Sequence, residues 1–570
     1  MNTLLIGQLP VEKWVSDGVD WLTQHLSGLF NVIQSAGNTI MTAMTDGLLA
    51  IPVFLMIAGI FMIAVITSPR RWGFPIFTLA GLLLIANQGL WQDLMNTMTL
   101  VIMSALISLI IGVPLGIAMA KSDRTQAIVQ PILDFMQTMP GFVYLIPAVA
   151  FFGIGVVPGV FASIIFALPP VVRMTNLGIR QVPVDLVEAA DSFGSTSWQK
   201  LLKLELPNAK NTILAGANQT IMLALSMVVT ASMIGAPGLG RGVLTAVQHA
   251  DIGAGFVNGL ALVILAIIID RFAQKLNTKP GQKLPQNQKR RWAVIATLLI
   301  MIGGGFVNSF ATTNQSHEKI SLGYVEWDSE VASTNVIGQA LKTHGYDVSL
   351  TPLDNSVLWQ SVANGQIDAS LSAWLPITHG PLLKKYQNDL TVVGTNLTGV
   401  KTGLVVPDYM SAKSISDLTD QAKQIITGIE PGAGMMVATE NTIKSYPNLS
   451  DWSLQASSSG AMVSALEKAY KNKEEIVITG WSPHWMFSKY KLHYLEDPKG
   501  AMGGKETIKT IARKDLKSDH PEAYKVLEKF KWGTADMASV MLDIQSGMKP
   551  TEAADKWLKA NPKIVDSWFE

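Results

Sequence analysis

The chain contains no cysteine. That excludes disulfides, cysteine-ligated zinc and thiol catalysis, and it leaves the compartment open, because many external domains fold without disulfides. An excess of charge is also missing: 44 Lys and Arg face 43 Asp and Glu, for a net charge of +1. No global field therefore points to nucleic acid or to an acidic partner. A phosphate loop of the form Gly-x4-Gly-Lys-[Ser/Thr] does not occur. The nearest approach is Gly503-Gly504-Lys505, where Glu506 replaces the hydroxyl residue and the first glycine is misplaced. No His/Asp/Glu set has metal spacing and no Ser/His/Asp grouping can be argued. Neither a catalytic residue nor a metal site is expected.

What is present falls into two halves. At 570 residues the chain exceeds the roughly 250–300 that one hydrophobic core supports. Residues 1–311 are rich in Leu, Ile, Ala, Val, Met and Gly, whereas 317–570 carry Lys, Asp and Glu at the density of a soluble domain. Residues 1–45 do not read as a cleavable signal. Glu12, Asp17, Asp20 and, just beyond, Asp46 stand among apolar residues, and Trp14, Leu22, Leu26, Leu29 and Ile33 recur at helical spacing. Two readings fit: an amphipathic helix on the membrane surface, or a helix packed on its own protein.

A bilayer core about 30 Å thick needs about 20 apolar residues per helix. Such runs occur at 46–67, 72–90, 94–120, 136–153, 156–174, 211–234, 253–270 and 292–311. The permease region is thus expected over 46–311 with about eight helices. Pro140, Pro147, Pro158, Pro169 and Pro170 should break up the middle of it, which a membrane tolerates only where protein or a cavity satisfies the freed backbone. One set of loops collects positive charge: Arg70 and Arg71; Lys121 and Arg124; Arg180, Lys200, Lys203 and Lys210; then Arg271 to Arg291. The opposite set holds little beyond Lys13 and Arg241. This asymmetry predicts a multi-pass protein of the cell membrane, with the 176–210 loop inside and everything after residue 311 outside.

The inside loop reads Val187-Glu188-Ala189-Ala190-Asp191-Ser192-Phe193-Gly194, then Lys203-Leu204-Glu205-Leu206-Pro207. A short helix over 187–193 capped by a left-handed Gly194, and a second over 198–204 ended by Pro207, would make a rigid knob for a partner. This segment resembles the coupling loop of ABC import permeases. The resemblance implies that Glu188, Ala189, Ala190, Gly194 and Pro207 seat the knob in a groove of an ATPase subunit. It also implies two permease halves, hence a homodimer of this chain with two ATPase copies. The chain itself would bind no cofactor; ATP and Mg would sit on the partner.

Residues 312–318 read as a polar linker. Beyond them strands and helices alternate: strands at 319–325, 348–353, 369–374, 403–406, 425–429 and 476–479, helices at 332–344, 357–365 and 460–471. This predicts a mostly parallel α/β sheet, whose ligands lie beyond the carboxyl ends of strands. Trp327, Trp374 and Trp481 stand at three such ends. A quaternary ammonium has no N–H to donate, so indole faces suit it better than carboxylates do. The glycine-rich turn Glu430-Pro431-Gly432-Ala433-Gly434-Met435 exposes consecutive amides, a sound anion site.

Residues 319–570 resemble the substrate-binding proteins of glycine betaine/proline betaine ABC importers, through Trp374-Leu375-Pro376-x-x-His379 and Gly480-Trp481-Ser482-Pro483-His484-Trp485-Met486-Phe487-x-Lys489-Tyr490. The fused order, permease then binding domain, is that of one branch of the family. The resemblance implies a two-lobed fold, with lobe I at about 319–402 and 510–570 and lobe II at about 403–509. It implies that Trp327, Trp374 and Trp481 box the trimethylammonium group. His379 and the amides of Gly434 and Met435 would hold the carboxylate. Some relatives carry a Trp at the position of Ala433; its absence here fits the branch that draws the third ring from the first strand. His484 and Trp485 are read as support behind Trp481. An importer of carnitine, choline or another quaternary amine, and a solute-sensing membrane receptor, are the competing expectations.

Overall fold

In the computed structural model, residues 10–68, 72–249, 251–276, 297 and 318–570 are described. The expected eighth span at 292–311 lies outside them apart from residue 297, as does the linker apart from residue 318. The chain divides into two compact units, 1–243 with 256–314, and 244–255 with 315–570.

The first unit is helical. Its elements are α1 (Val11–His25), α2 (Ser27–Ala50), α3 (Val53–Thr67), α4 (Gly73–Asn87), α5 (Trp91–Lys121), α6 (Asp123–Thr138), α7 (Leu145–Phe152), α8 (Val156–Arg180), α9 (Val184–Ser192), α10 (Ser197–Lys200) and α11 (Leu206–Ser232), with α12 (Leu239–Gln248) and α13 (Ile252–Leu276) following. Among the described residues four helices are long and apolar enough to cross a membrane, or six if each of two bent pairs is one span. Three expected spans are corrected. The run 46–67 is broken at Ile51–Pro52, where α2 and α3 meet at 91°; proline has no N–H to continue the helix. The run 72–90 yields a helix of only 15 residues. The run 136–153 joins α6 to α7 through a 106° bend at Pro140.

Pro169 and Pro170, by contrast, do not interrupt α8, which runs unbroken through them. The Thr220 hydroxyl of α11 donates to the Ala167 carbonyl at 2.9 Å in the turn just before the two prolines, tying the two helices together there. α5, α8 and α11 share the main apolar core, built around Leu100, Val101, Val160, Ala167, Ala224 and Val228. On the N-terminal helices Trp14, Leu29 and Ile33 are exposed.

The second unit carries nine strands in the order β2-β1-β3-β9-β4-β7-β5-β6, with β8 also on β4. These are β1 (Lys319–Tyr324), β2 (Asp347–Pro352), β3 (Ala369–Leu375), β4 (Leu390–Pro407), β5 (Ile425–Thr427), β6 (Ser453–Gln455), β7 (Val477–Ser482), β8 (Leu492–Tyr494) and β9 (Glu506–Arg513). The sheet is mixed rather than mostly parallel: β1 is parallel to β2 and β3, but β9 runs antiparallel to β3 and β4, and β4 antiparallel to β7. The reason is β4, an 18-residue strand that serves two halves. Leu390–Val400 pairs with β9, and Lys401–Val405 pairs with β7. The chain passes from one half-sheet to the other at that point and rejoins the first at Glu506. Helices α14 (Asp328–Thr343) and α15 (Asn355–Ala363) cover the first half, α16 (Gly434–Ser445) and α17 (Ser459–Asn472) the second.

Candidate functional site

Trp327 follows β1 and is the N-cap residue of α14; Trp374 lies near the end of β3 and Trp481 near the end of β7. Strand ends of the two half-sheets thus bring three indoles to one cavity. It spans about 350 Å³, part of it open to solvent, and is lined by Trp327, Trp374, His379, Gly434, Met435 and Trp481, together with Ser329, Thr378, Thr402, Ile429 and Ala433. All six sequence-predicted site residues stand on its wall, and no carboxylate or ammonium does. The three indoles are 8, 4 and 5% exposed and His379 1%, so the side chains that form the walls are buried.

His379 shows how its surroundings select a proton position. Its Nδ1 accepts from the Trp374 backbone N–H at 3.0 Å. A neutral imidazole that accepts at Nδ1 carries its proton on Nε2. That Nε2 is buried and has no hydrogen-bond partner among the described residues. Burial pushes the His379 pKa down to about 4, against a smaller opposing pull from the Ser372 backbone. The ring is wedged between Trp327, stacked at 6.1 Å between centroids, and Trp359 of α15, edge-on at 5.6 Å. His379 therefore presents one fixed, neutral donor to the cavity.

Gly434 and Met435 open α16. The first amides of a helix have no intrahelical acceptor and stand at the positive end of its dipole. Glycine is required at 434 for space: a Cβ there would lie 2.0 Å from the Thr378 carbonyl oxygen, across the cavity mouth. Behind Trp481 the sequence reading of His484 and Trp485 acquires geometry. The His484 ring meets Trp481 edge-on at 4.6 Å and is tilted against Trp485 at 5.5 Å.

Several cavity residues carried no sequence signal of their own. Ile429 follows β5 and could have been found by the strand-end rule. Ser329 and Thr378 are neighbours of predicted residues. Thr402 sits inside a strand, where sequence cannot tell wall from core, and Trp359, which braces His379 from behind without lining the cavity, sits inside a helix.

The second predicted site lies in the first unit. α9 holds Glu188, Ala189 and Ala190 and has no buried residue. Gly194 has φ +71°, the left-handed cap expected of it. Lys200 Nζ reaches back to Asp191 at 2.7 Å, tying the two short helices together. Phe193 and Trp198 are exposed. The expectation that Pro207 ends the second helix is corrected. Residues Ser197–Ser232 form one continuous helix, in which a π-turn at Leu201–Glu205 precedes the proline. Pro207 falls in the first turn of α11, where a missing N–H is best tolerated.

A polytopic helical unit with an exposed knob of short helices, in one chain with an α/β unit that holds an aromatic cavity, has the parts of a binding-protein-dependent importer. Residues 112–282 match the family described as a binding-protein-dependent transport system inner membrane component. Residues 318–560 match the substrate binding domain of ABC-type glycine betaine transport systems. The chain belongs to the glycine betaine ABC importers, as a fused permease and substrate-binding protein.

It is similar to the glycine betaine/carnitine transport permease protein GbuB of Listeria monocytogenes, 57% identical over 278 residues, 48% of this chain and 98% of that protein. It is also similar to the glycine betaine/carnitine transport binding protein GbuC of the same organism, 47% identical over 191 residues, 33% of this chain and 62% of that protein. Two proteins there correspond to one here. Among solved structures it is similar to lactococcal OpuAC in its closed-liganded conformation complexed with glycine betaine, at 60% identity and a TM-score of 0.44, covering 44% of this chain and all of that one.

Proposed function

We propose that the chain captures glycine betaine outside the cell and passes it through its own membrane unit, driven by a separate ATPase. One observation carries this reading: three indoles, an unpartnered His379 Nε2–H and a helix N-terminus line one cavity that has no charged side chain on its wall among the described residues. Indole faces attract a permanent cation, with about 2 kcal/mol or more available per desolvated contact. A carboxylate at the other end would accept from His379 Nε2–H and from the Gly434 and Met435 amides. Such a zwitterion touches both halves of the sheet at once, so binding favours the closed arrangement of the two lobes.

In this reading the chain is a transporter subunit without an ATPase domain. Hydrolysis, with ATP and Mg, belongs to a partner that grips the knob at Glu188, Ala189, Ala190 and Gly194. Two copies of this chain and two ATPase subunits would complete the importer, with 319–570 on the outer side of the cell membrane. Tethering holds the binding domain at high effective concentration near its permease.

The test is a titration of the full-length chain in lipid nanodiscs, followed by tryptophan fluorescence, with glycine betaine, carnitine, choline and proline in turn. Glycine betaine should saturate at the lowest concentration, and choline, which lacks a carboxylate, should bind far more weakly. Preference for carnitine would move the assignment to that solute; preference for choline would overturn the role of His379 and α16.

A further inference from the structure

The cavity takes its walls from both lobes, so whatever bonds cross between them decide how readily the lobes part around a bound solute. Two consecutive residues of lobe I, Trp327 and Asp328, make such bonds. Trp327 Nε1 donates to Glu430 Oε2 at 3.0 Å, and the other Glu430 oxygen accepts from the Ser459 N–H at 2.9 Å. Glu430 and Ser459 both belong to lobe II. Asp328 Oδ1 accepts from Trp485 Nε1 at 3.1 Å, and His484 Nε2 lies 3.3 Å from Asp328 Oδ2. His484 Nδ1 in turn accepts from the Met486 N–H at 3.1 Å, which places the ring proton on Nε2, close to Asp328 but not in a formed hydrogen bond. Neither Asp328 nor Glu430 lines the cavity.

We infer that Asp328 and Glu430 form a closure latch that sets how long a bound solute is held. They are positioning residues. Glu430 fixes the plane of the Trp327 indole, but only when the lobes are together, so that wall of the cation cage is completed by closure. Asp328 does the same for the pair His484 and Trp485 that backs Trp481. Both acceptors are carboxylates, and hydrogen bonds to charged acceptors are about twice as strong as neutral ones. Each anion also keeps a second role inside its own lobe: Glu430 caps the start of α17, and Asp328 stands in the first turn of α14. The residues are therefore held ready in the open state and gain their cross-lobe partners on closing. This inference rests on the reading of the cavity as a zwitterion site.

The test uses stopped-flow tryptophan fluorescence on the full-length chain in nanodiscs with glycine betaine, for wild type, Asp328→Ala, Glu430→Gln and Trp485→Phe. Trp485→Phe removes the indole N–H together with part of the buried ring, and leaves the α14 first turn intact. Each variant should release glycine betaine faster by about tenfold, the kinetic equivalent of one charge-assisted bond, with the association rate within about twofold of wild type. The thermal midpoint of the solute-free Glu430→Gln chain, which keeps an acceptor for the Ser459 N–H, should stay at the wild-type value. Release rates within twofold of wild type would overturn the latch. So would a loss of solute-free stability in Glu430→Gln that matched its change in release, since the contact would then be ordinary packing. A wild-type chain that binds no glycine betaine would refute the solute assignment itself, and the latch with it.

Discussion

Burying an imidazole removes its charge, and at His379 that loss supplies the cavity with a directional donor. The pKa of about 4 keeps the ring neutral through the neutral range, while the Trp374 amide decides which nitrogen carries the proton. His379→Ala should weaken glycine betaine binding by roughly tenfold to a hundredfold, the usual cost of a lost bond to a charged group, and leave choline binding unchanged; a competition titration reads both. Trp374→Ala should abolish binding and Trp485→Ala should weaken it less. Equal retention in the two would contradict the placement of the cage. A different buried group shapes stability. Glu330 is pushed up to about 8 by burial, against the Val325 N–H and the Ser372 hydroxyl, which favour its ionised form. Its folded-state pKa lies above the unfolded value of 4.5, so its contribution is fully present below pH 4.5 and is lost as pH rises through about 8. Glu330→Gln should therefore gain stability relative to wild type as pH goes from 5 to 8.5, in thermal unfolding followed by fluorescence; a constant difference across that range would contradict the buried neutral carboxyl. The site was legible at this scale because its residues are distinctive types at strand ends. Trp359 was not, since a tryptophan inside a helix gives no sign of which ring it braces.

Elements show where local sequence reading succeeds and where tertiary contacts intervene. Strand–helix alternation from 319 to 479 was readable because apolar runs of strand length were punctuated by turn residues. The 18-residue β4 was recognised only over its last part, because Leu390–Val400 alternates irregularly and is held by three register shifts against β9. The membrane helices misled for the opposite reason. Proline argues for a break, yet α8 runs unbroken through Pro169 and Pro170, packed against α5 and α11. At Pro207 the slack comes from the π-turn, whose Leu206 N–H bonds to the Leu201 carbonyl. That turn is pinned by Glu205, buried and paired with Lys121 at 2.5 Å. Lys121→Met leaves the carboxylate buried without its cation, which is costly. It should reduce transport and solute-stimulated ATP hydrolysis of the assembled importer several-fold while solute affinity stays at the wild-type value. Impaired solute binding in this variant would break the assignment of separate roles to the two units.

At the scale of the whole molecule, two functions that are separate chains in GbuB and GbuC share one polypeptide. The division was legible in composition alone, since an apolar half and a charged half cannot share a solvent. The sidedness proposed above rests on positive charge, and the absence of cysteine makes it directly testable. A single cysteine at Lys471 should react with an impermeant maleimide on intact cells, and one at Ser197 only after lysis. The reverse pattern would invert the topology.

The central claim is that indole faces, a neutral histidine and a helix N-terminus together hold a zwitterion. A structure of the full-length chain solved with glycine betaine tests it most directly. The trimethylammonium group should lie among Trp327, Trp374 and Trp481, with the carboxylate against His379 Nε2 and the Gly434 and Met435 amides. A solute bound elsewhere, or held by acidic side chains with those indoles in separate cores, would contradict the account.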